Sequence, residues 1–211
     1  MWMKLIKFAL LGLSISVVAC KSTNRKQLTQ NDSLTQVDTV SQPAIDQRFL
    51  VVAGHSVGEI LLGADMEQVS QKLGRADAGD AAMGKAWGIW YSNDSTAGQR
   101  NEIAVYSAYR DTSMRVKEVK QIRVTSEKFK TADGFALGNT RTALQSKFPD
   151  LKQVNRYLNN QKDTVLVYDS KKSGISFEFL KGKSVALTVH AENVPVNGTY
   201  LTLHPAWKAV E

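Results

Sequence analysis

Only one thiol occurs in the 211-residue chain, Cys20, which closes the run Val17-Val18-Ala19-Cys20. A thiol can act as nucleophile, metal ligand, redox centre or lipid attachment point, and the first three need partner residues. The three histidines, His55, His190 and His204, are scattered, with no HExxH-like spacing. His55-Ser56 invites a hydrolase reading, but no G-x-S-x-G elbow surrounds any serine. A triad assembled in space leaves little local signature, so that reading stays open as a minor one. His190, on the outer face of an expected strand, reads as a solvated residue. Gly79-Asp80-Ala81-Ala82-Met83-Gly84-Lys85 resembles GxxxxGK, yet Ala86 follows where Ser or Thr must bind magnesium. A helix before it and an aromatic strand after it invert the phosphate-loop context, so no nucleotide site is expected.

Aromatic residues give a sharper signal. Trp87, Ile89 and Tyr91 share one face of an expected strand, while Trp90 lies on the other. Tyr106 and Tyr109 likewise fall on opposite faces. One set must be core, which leaves some of Trp87, Trp90, Tyr106 and Tyr109 as partner-binding candidates on an open sheet face, where Trp and Tyr are favoured anchors. The competing reading covers Trp90 with the C-terminal tail and Trp207. Lys171, Lys172, Lys181 and Lys183 suggest a basic patch, but they flank a strand whose seven residues span about 23 Å, so they read as solvated turns. Asn197-Gly198-Thr199 reads as a turn rather than a glycosylation site.

Position explains the thiol. Lys4 and Lys7 open the chain, Phe8 to Val18 run apolar, and Ala19 is small, the layout of a secretory leader over residues 1–19. The apolar run falls short of the roughly 20 residues that span a bilayer. The last four residues resemble the lipobox of bacterial lipoproteins, which implies that Cys20 becomes a lipidated N-terminus. Each buried methylene contributes about 0.8 kcal/mol, so two or three acyl chains anchor a protein to a membrane stably. Lys21 and Ser22, rather than Asp, follow the cysteine, which by the same resemblance places the anchor in the outer membrane, facing the periplasm. With Cys20 acylated no thiol remains, and disulfides, thiolate catalysis and cysteine zinc sites are excluded. No cofactor is expected.

The leader removes two lysines, leaving 25 basic and 20 acidic residues and a formal charge of +5. That suits an anionic surface or an acidic partner and does not indicate nucleic acid. Residues 20–48 are rich in Ser, Thr, Gln and Asn and lack aromatics, so they read as a tether with a reach of roughly 30 Å.

The elements that must position these residues echo each other at an offset of 75 residues. Ile60-Leu61-Leu62-Gly63-Ala64-Asp65, then Val69, Leu73 and Gly74, matches Phe135-Ala136-Leu137-Gly138-Asn139-Thr140, then Leu144, Phe148 and Pro149. Each predicts a short strand, a turn and a helix capped by Asp65 or Thr140. The apolar pairs stand four apart on one helical face, and Gly74 and Pro149 stop the helices. Strands follow at Trp87–Tyr91, Glu102–Tyr109 and Val119–Thr125, and again at Gln153–Leu158, Val165–Tyr168, Ile175–Phe179 and Val185–His190. Turns are expected at Ser92-Asn93-Asp94, Asn159 to Lys162, Lys171 to Gly174 and Lys181 to Lys183. Alternation sets Ile175, Phe177, Phe179, Val185, Leu187 and Val189 against the helix, with Ser176, Glu178, Thr188 and His190 opposite. The predicted fold is α+β, with two tandem repeats over 49–126 and 127–192. Each is a short helix on an antiparallel meander with an open sheet face, and a tail over 193–211 packs on the domain.

This order resembles the small outer-membrane assembly lipoproteins of the SmpA/OmlA family and the tandem-repeat β-lactamase inhibitor protein. The resemblance rests on Leu62-Gly63, Asp65 and Leu73-Gly74, and on Leu137-Gly138, Thr140 and Phe148-Pro149. It implies a non-catalytic protein that binds an envelope protein through a sheet face. The alternative expectation is a small-ligand or glycan-binding lipoprotein that uses the cleft between repeats, with Trp90 and Tyr106 as stacking platforms.

Overall fold

The computed structural model of the chain describes residues 45–96, 98–198 and 207–210. The leader, Cys20, most of the expected tether and His204 lie outside them.

Both predicted helices form where their caps place them. α1 (Met66–Leu73) starts at Asp65, whose carboxylate accepts from the Glu67 N–H at 2.9 Å, and ends at Gly74 with φ +77°. α2 (Arg141–Lys147) starts at Thr140, whose hydroxyl accepts from the Ala143 N–H. Val69 and Leu144 are the buried positions of the two helices.

The strands are β1 (Leu50–Val52), β2 (Ser56–Val57), β3 (Ile60–Leu61), β4 (Ala78–Ala82), β5 (Lys85–Thr96), β6 (Gln99–Tyr109) and β7 (Lys117–Val124). They continue as β8 (Lys130–Thr131), β9 (Lys152–Leu158), β10 (Thr164–Ser170), β11 (Ile175–Leu180), β12 (Lys183–His190) and β13 (Lys208–Ala209). A nine-stranded sheet has the order β13-β9-β10-β11-β12-β7-β6-β5-β4, every neighbouring pair antiparallel. A small sheet, β3-β2-β1-β8, pairs β1 with β8 in parallel. The architecture is mixed α+β and mostly antiparallel.

Corresponding turns enter the two helices. The Gly63 N–H donates to the Val119 carbonyl at 2.8 Å, and the Val119 N–H donates to Ala64 at 2.9 Å. In the later half the Gly138 N–H donates to Ser184 at 2.8 Å, and the Ser184 N–H donates to Asn139 at 3.0 Å. Gly63 and Gly138 sit at φ +76° and +84°, the left-handed region that glycine enters without steric cost.

One contiguous core lies between the helices and one face of the large sheet. It joins Val69, Leu144 and Phe148 to Val105, Ile122, Val124, Phe177, Leu187 and Val189, with Val51, Val57 and Ile60 added by the small sheet. The predicted alternation of β11 and β12 holds for Ile175, Phe177, Phe179, Leu187 and Val189. Val185 falls out of it, because a register shift after Glu178 pairs Phe179 with Ser184. Ser92-Asn93-Asp94 is not the end of a strand: β5 runs on to Thr96 with a register irregularity between Tyr91 and Ser95. The Gly79–Lys85 segment is a hairpin, with Met83 (φ +47°) and Gly84 (φ +80°) as its two-residue turn. Two positive φ angles there define a type I′ turn, whose twist matches the flanking strands.

Trp90 belongs to this core. Its indole N–H donates to the Gly74 carbonyl at 3.0 Å, and its ring covers Gly88. A Cβ on Gly88 would lie 3.0 Å from the Trp90 ring and 3.2 Å from the Ala76 methyl. Gly88→Ala is therefore expected to destabilise the domain by about 1–3 kcal/mol through overpacking, measured by chemical denaturation.

Candidate functional site

The sheet face opposite the helices carries the residues that chemistry could use. Registers across β5, β6, β7 and β12 place Trp87 beside Tyr106, Ile89 beside Ala104, Tyr106 beside Gln121, and Arg123 beside Thr188. Of the four aromatic partner-binding candidates the structure thus brings Trp87 and Tyr106 together, and it puts Trp90 on the other side. Tyr109 ends β6, half-buried, next to Gly84 and with the Lys117 ammonium 5.2 Å from its ring centre.

Exposure separates them further. Tyr106 is 3% exposed, and burial pushes its phenol above the ordinary value. Trp90 is 9% exposed. Neither presents a ring to a partner, and the expectation of Trp90 and Tyr106 as stacking platforms in a shared cleft does not stand, since they face opposite sides of the sheet. The reading in which Trp207 covers Trp90 fails for the same reason: Trp207 packs on Tyr157, with ring centres 6.3 Å apart. Trp87 and Tyr91 remain half-buried around Ile89 and Ala104.

This face is therefore not open throughout. Over β9, β10 and β7 it is closed by the C-terminal segment. The Val196 N–H donates to Asp169 Oδ2 at 3.1 Å, and its carbonyl accepts from the Gln121 amide at 2.8 Å. Burial raises the Tyr157 phenol, and the Glu178 carboxylate raises it further.

Beneath the segment lies His190, 1% exposed rather than solvated, with Nε2 2.9 Å from Asp169 Oδ1. Its Nδ1 faces the Ala191 carbonyl at 3.1 Å. This is an Asp-His pair, but a backbone carbonyl occupies the position where a triad would hold a hydroxyl nucleophile. His55 is exposed and far in role from any such pair. The pair instead fastens residues 191–196 to the sheet.

At the centre, Arg123 on β7 makes a two-toothed bond to Glu178 on β11, Nε to Oε1 at 2.7 Å and the second amino group to Oε2 at 2.8 Å. Its remaining amino group donates to Glu102 on β6. The three side chains are 5%, 3% and 10% exposed. Arg–carboxylate pairs of this fork geometry are among the stronger protein hydrogen bonds. Sequence reasoning missed this group because its members are 21 and 55 positions apart. The one available signal was a charged residue inside the apolar run Ile122-Arg123-Val124 and another inside Phe177-Glu178-Phe179.

Two further features complete the surface. A cavity of about 260 Å³ is lined by Phe49, Trp90, Ile103 and Phe129, with Asn101 and Glu102 among its polar walls. At the sheet's edge, the outer side of β4 is unpaired among the described residues. The hairpin closes on the Ala82–Lys85 pair, so Gly79 and Ala81 point their backbone groups away from β5. The Ala81 N–H accordingly turns to its neighbour's carboxylate, Asp80 Oδ1, at 2.7 Å.

Among the described residues, no group of three metal-ligating side chains is assembled and no helix is long and apolar enough to cross a membrane. The lysine pairs lie in turns at opposite ends of β11, and Lys181 pairs with Asp163 at 3.1 Å. Comparison with protein families, with curated proteins and with solved structures gives no match.

Proposed function

We propose that the chain is a lipid-anchored, non-catalytic envelope protein whose folded domain docks an extended segment of another protein along β4. Its two halves are read as tandem copies of one helix-plus-meander unit. The corresponding glycine turns at Gly63 and Gly138 and a strand order that runs outward alike from the β7–β12 junction support this. The anchor reading rests on the leader and on Val17-Val18-Ala19-Cys20, and the binding reading accords with the resemblance to outer-membrane assembly lipoproteins.

The observation that carries the docking reading is the bare edge of β4. An unpaired strand is a template for another chain, and proteins that avoid this use lysine, proline or very short edge strands. The opposite edge follows that rule, ending in the two-residue β13 with Lys208. β4 does not: it presents Ala-Gly-Asp-Ala-Ala, five residues that are mostly exposed. Asp80 pairs in register with Trp87, so an added strand sets a side chain beside a carboxylate and one strand from a half-buried indole. A basic residue fits that position.

The test uses a photo-crosslinking residue at Met83, 96% exposed at the hairpin tip, in cells. A discrete adduct is expected there and not from the same residue at Val194. Ala81→Pro removes an outward donor and leaves the bonds to β5 in place, so the adduct disappears while the melting temperature holds. An adduct that survives Ala81→Pro, or none at Met83, sinks the reading.

A further inference from the structure

We propose that one end of the large sheet, formed by the β4–β5 hairpin tip and the β6–β7 loop, rests on an anionic bilayer surface with Met83 and Met114 among the lipid head groups. This contact is separate from docking along β4, but it rests on the lipid-anchor reading, since the anchor holds the domain close to the bilayer.

Exposure picks out this end. Met83 is 96% exposed and Met114 64%, the two barest large apolar side chains among the described residues. A single exposed apolar side chain needs no explanation, but these two stand together. Lys85 is in register with Ala108, and Tyr109 with Lys117, so both connections close at the same end of the sheet. Two strand spacings put the tips about 10 Å apart. Both methionines have positive φ angles, +47° and +53°, within tight turns. Tyr109 stands between the tips. Its N–H donates to the Gly84 carbonyl at 3.1 Å, and the Lys117 ammonium lies 5.2 Å from its ring centre. Half-buried Tyr beside Lys and Arg is the composition of a head-group boundary, where rings and long cationic stems settle.

Charge names the kind of surface. Residues 82–86 and 109–120 hold Lys85, Arg110, Arg115, Lys117 and Lys120 against Asp111 and Glu118. Arg110 and Lys120 both pair with Glu118, and Asp111 accepts from the Ser113 N–H at 2.8 Å. Lys85, Arg115 and Lys117 pair with no carboxylate among the described residues. The next carboxylates, Asp65 and Asp80, stand back from the tips at the start of α1 and within β4. Each basic side chain near an anionic surface strengthens attachment about fivefold, so these three give roughly a hundredfold. That is too little to retain a free protein in a washed membrane fraction, and it suffices for a tethered one.

Reach permits the contact. The chain enters the fold at Gln47–Phe49, beside Phe129, which follows the opposite end of β7. Residues 21–45 can extend to about 80 Å, whereas the eleven residues of β6 span about 35 Å. Anchor and tips can therefore meet one bilayer.

The test places a solvatochromic amino acid at Met114 in the full-length protein, reconstituted from detergent into vesicles. These are phosphatidylcholine alone, or equal parts phosphatidylcholine with phosphatidylglycerol or with phosphatidylserine. A blue shift with quenching by brominated acyl chains is expected in both anionic mixtures and only weakly in phosphatidylcholine. The same probe at Gln161, in the turn at the opposite end of the sheet, stays unshifted. Met83→Ser lowers the inserted-to-free ratio about tenfold, and Lys85→Gln with Arg115→Gln lowers it tenfold or more. All three positions are exposed, so the melting temperature holds. Ala81→Pro leaves the shift unchanged, which separates this contact from docking along β4. Protein that floats with the vesicles without a shift at position 114 overturns the contact alone. Protein that floats with none of them overturns the anchor and this contact with it. An equal shift at Gln161, or no change in Met83→Ser or in Lys85→Gln with Arg115→Gln, also overturns it. So does a response to one anionic lipid only, which indicates a head-group pocket, or a shift that needs envelope proteins, which indicates a protein partner.

Discussion

Arg123→Met is expected to destabilise the domain by about 3–5 kcal/mol, measured by urea or guanidinium denaturation. Methionine fills much the same volume but leaves Glu178 and Glu102 facing each other across a buried face without the guanidinium between them. The loss comes from stranded carboxylates more than from the hydrogen bonds themselves. Replacing Arg123, Glu178 and Glu102 together with apolar residues of similar size should therefore recover most of the stability. The exposed Lys128–Asp94 pair provides the contrast: Lys128→Gln should cost no more than about 1 kcal/mol, since solvent screens both charges. A loss below about 1 kcal/mol for Arg123→Met would show that water already reaches the network.

Placement explains why such a group is worth burying. β7 and β12 form the junction between the halves of the large sheet, and only four residue pairs are registered there, Gln121 to Val124 against His190 to Leu187. β6 and β7 share seven. A slip of one residue at so short a junction would turn Ile122 and Val124 out of the core and Arg123 into it. Arg123 reaches from β7 across to β11 on one side and to β6 on the other, so its two-toothed bond to Glu178 exists in one register only. The bond to Asp169 that holds Val196, and the Gln121 amide that holds its carbonyl, extend the same polar row toward β10.

Local chemistry was readable from the chain, and coverage was not. Asp65 and Thr140 cap helices as their side chains dictate, and β-branched and aromatic runs became β5 to β7 and β9 to β12. β4 escaped because Ala-Gly-Asp-Ala-Ala has little intrinsic strand preference. It is a strand because the Met83-Gly84 turn folds it onto β5. His190 and Glu178 were placed on the correct face, yet alternation reports a face and not what lies over it. Val196 and Trp207 close part of that face from the far end of the sequence, which turns expected solvated residues into buried ones. Trp90 illustrates the same gap on the helix side, where Gly74, 16 residues earlier, takes its N–H. The cavity has no sequence signature, because Phe49, Asn101, Glu102 and Phe129 meet only through the packing of β5 and β6 against residues 126–129.

Cys20→Ser is expected to move the protein from the membrane fraction to the soluble fraction of a cell lysate, with the melting temperature of the domain unchanged. At about 0.8 kcal/mol per buried methylene, two or three acyl chains contribute far more than thermal energy, and serine accepts none of them. The formal charge of +5 left if the proposed leader is removed would not replace the proposed anchor. Nor do the described residues supply a spanning helix. A minor fraction of Cys20→Ser protein that still sediments is expected to be held by a partner, and the β4 edge predicts which change releases it. Adding Ala81→Pro to Cys20→Ser should clear the remaining membrane-associated fraction if docking occurs along β4. Full retention of Cys20→Ser in the membrane would overturn the lipid anchor. Release of every molecule by Cys20→Ser alone would show that β4 docking does not hold the domain at the membrane by itself.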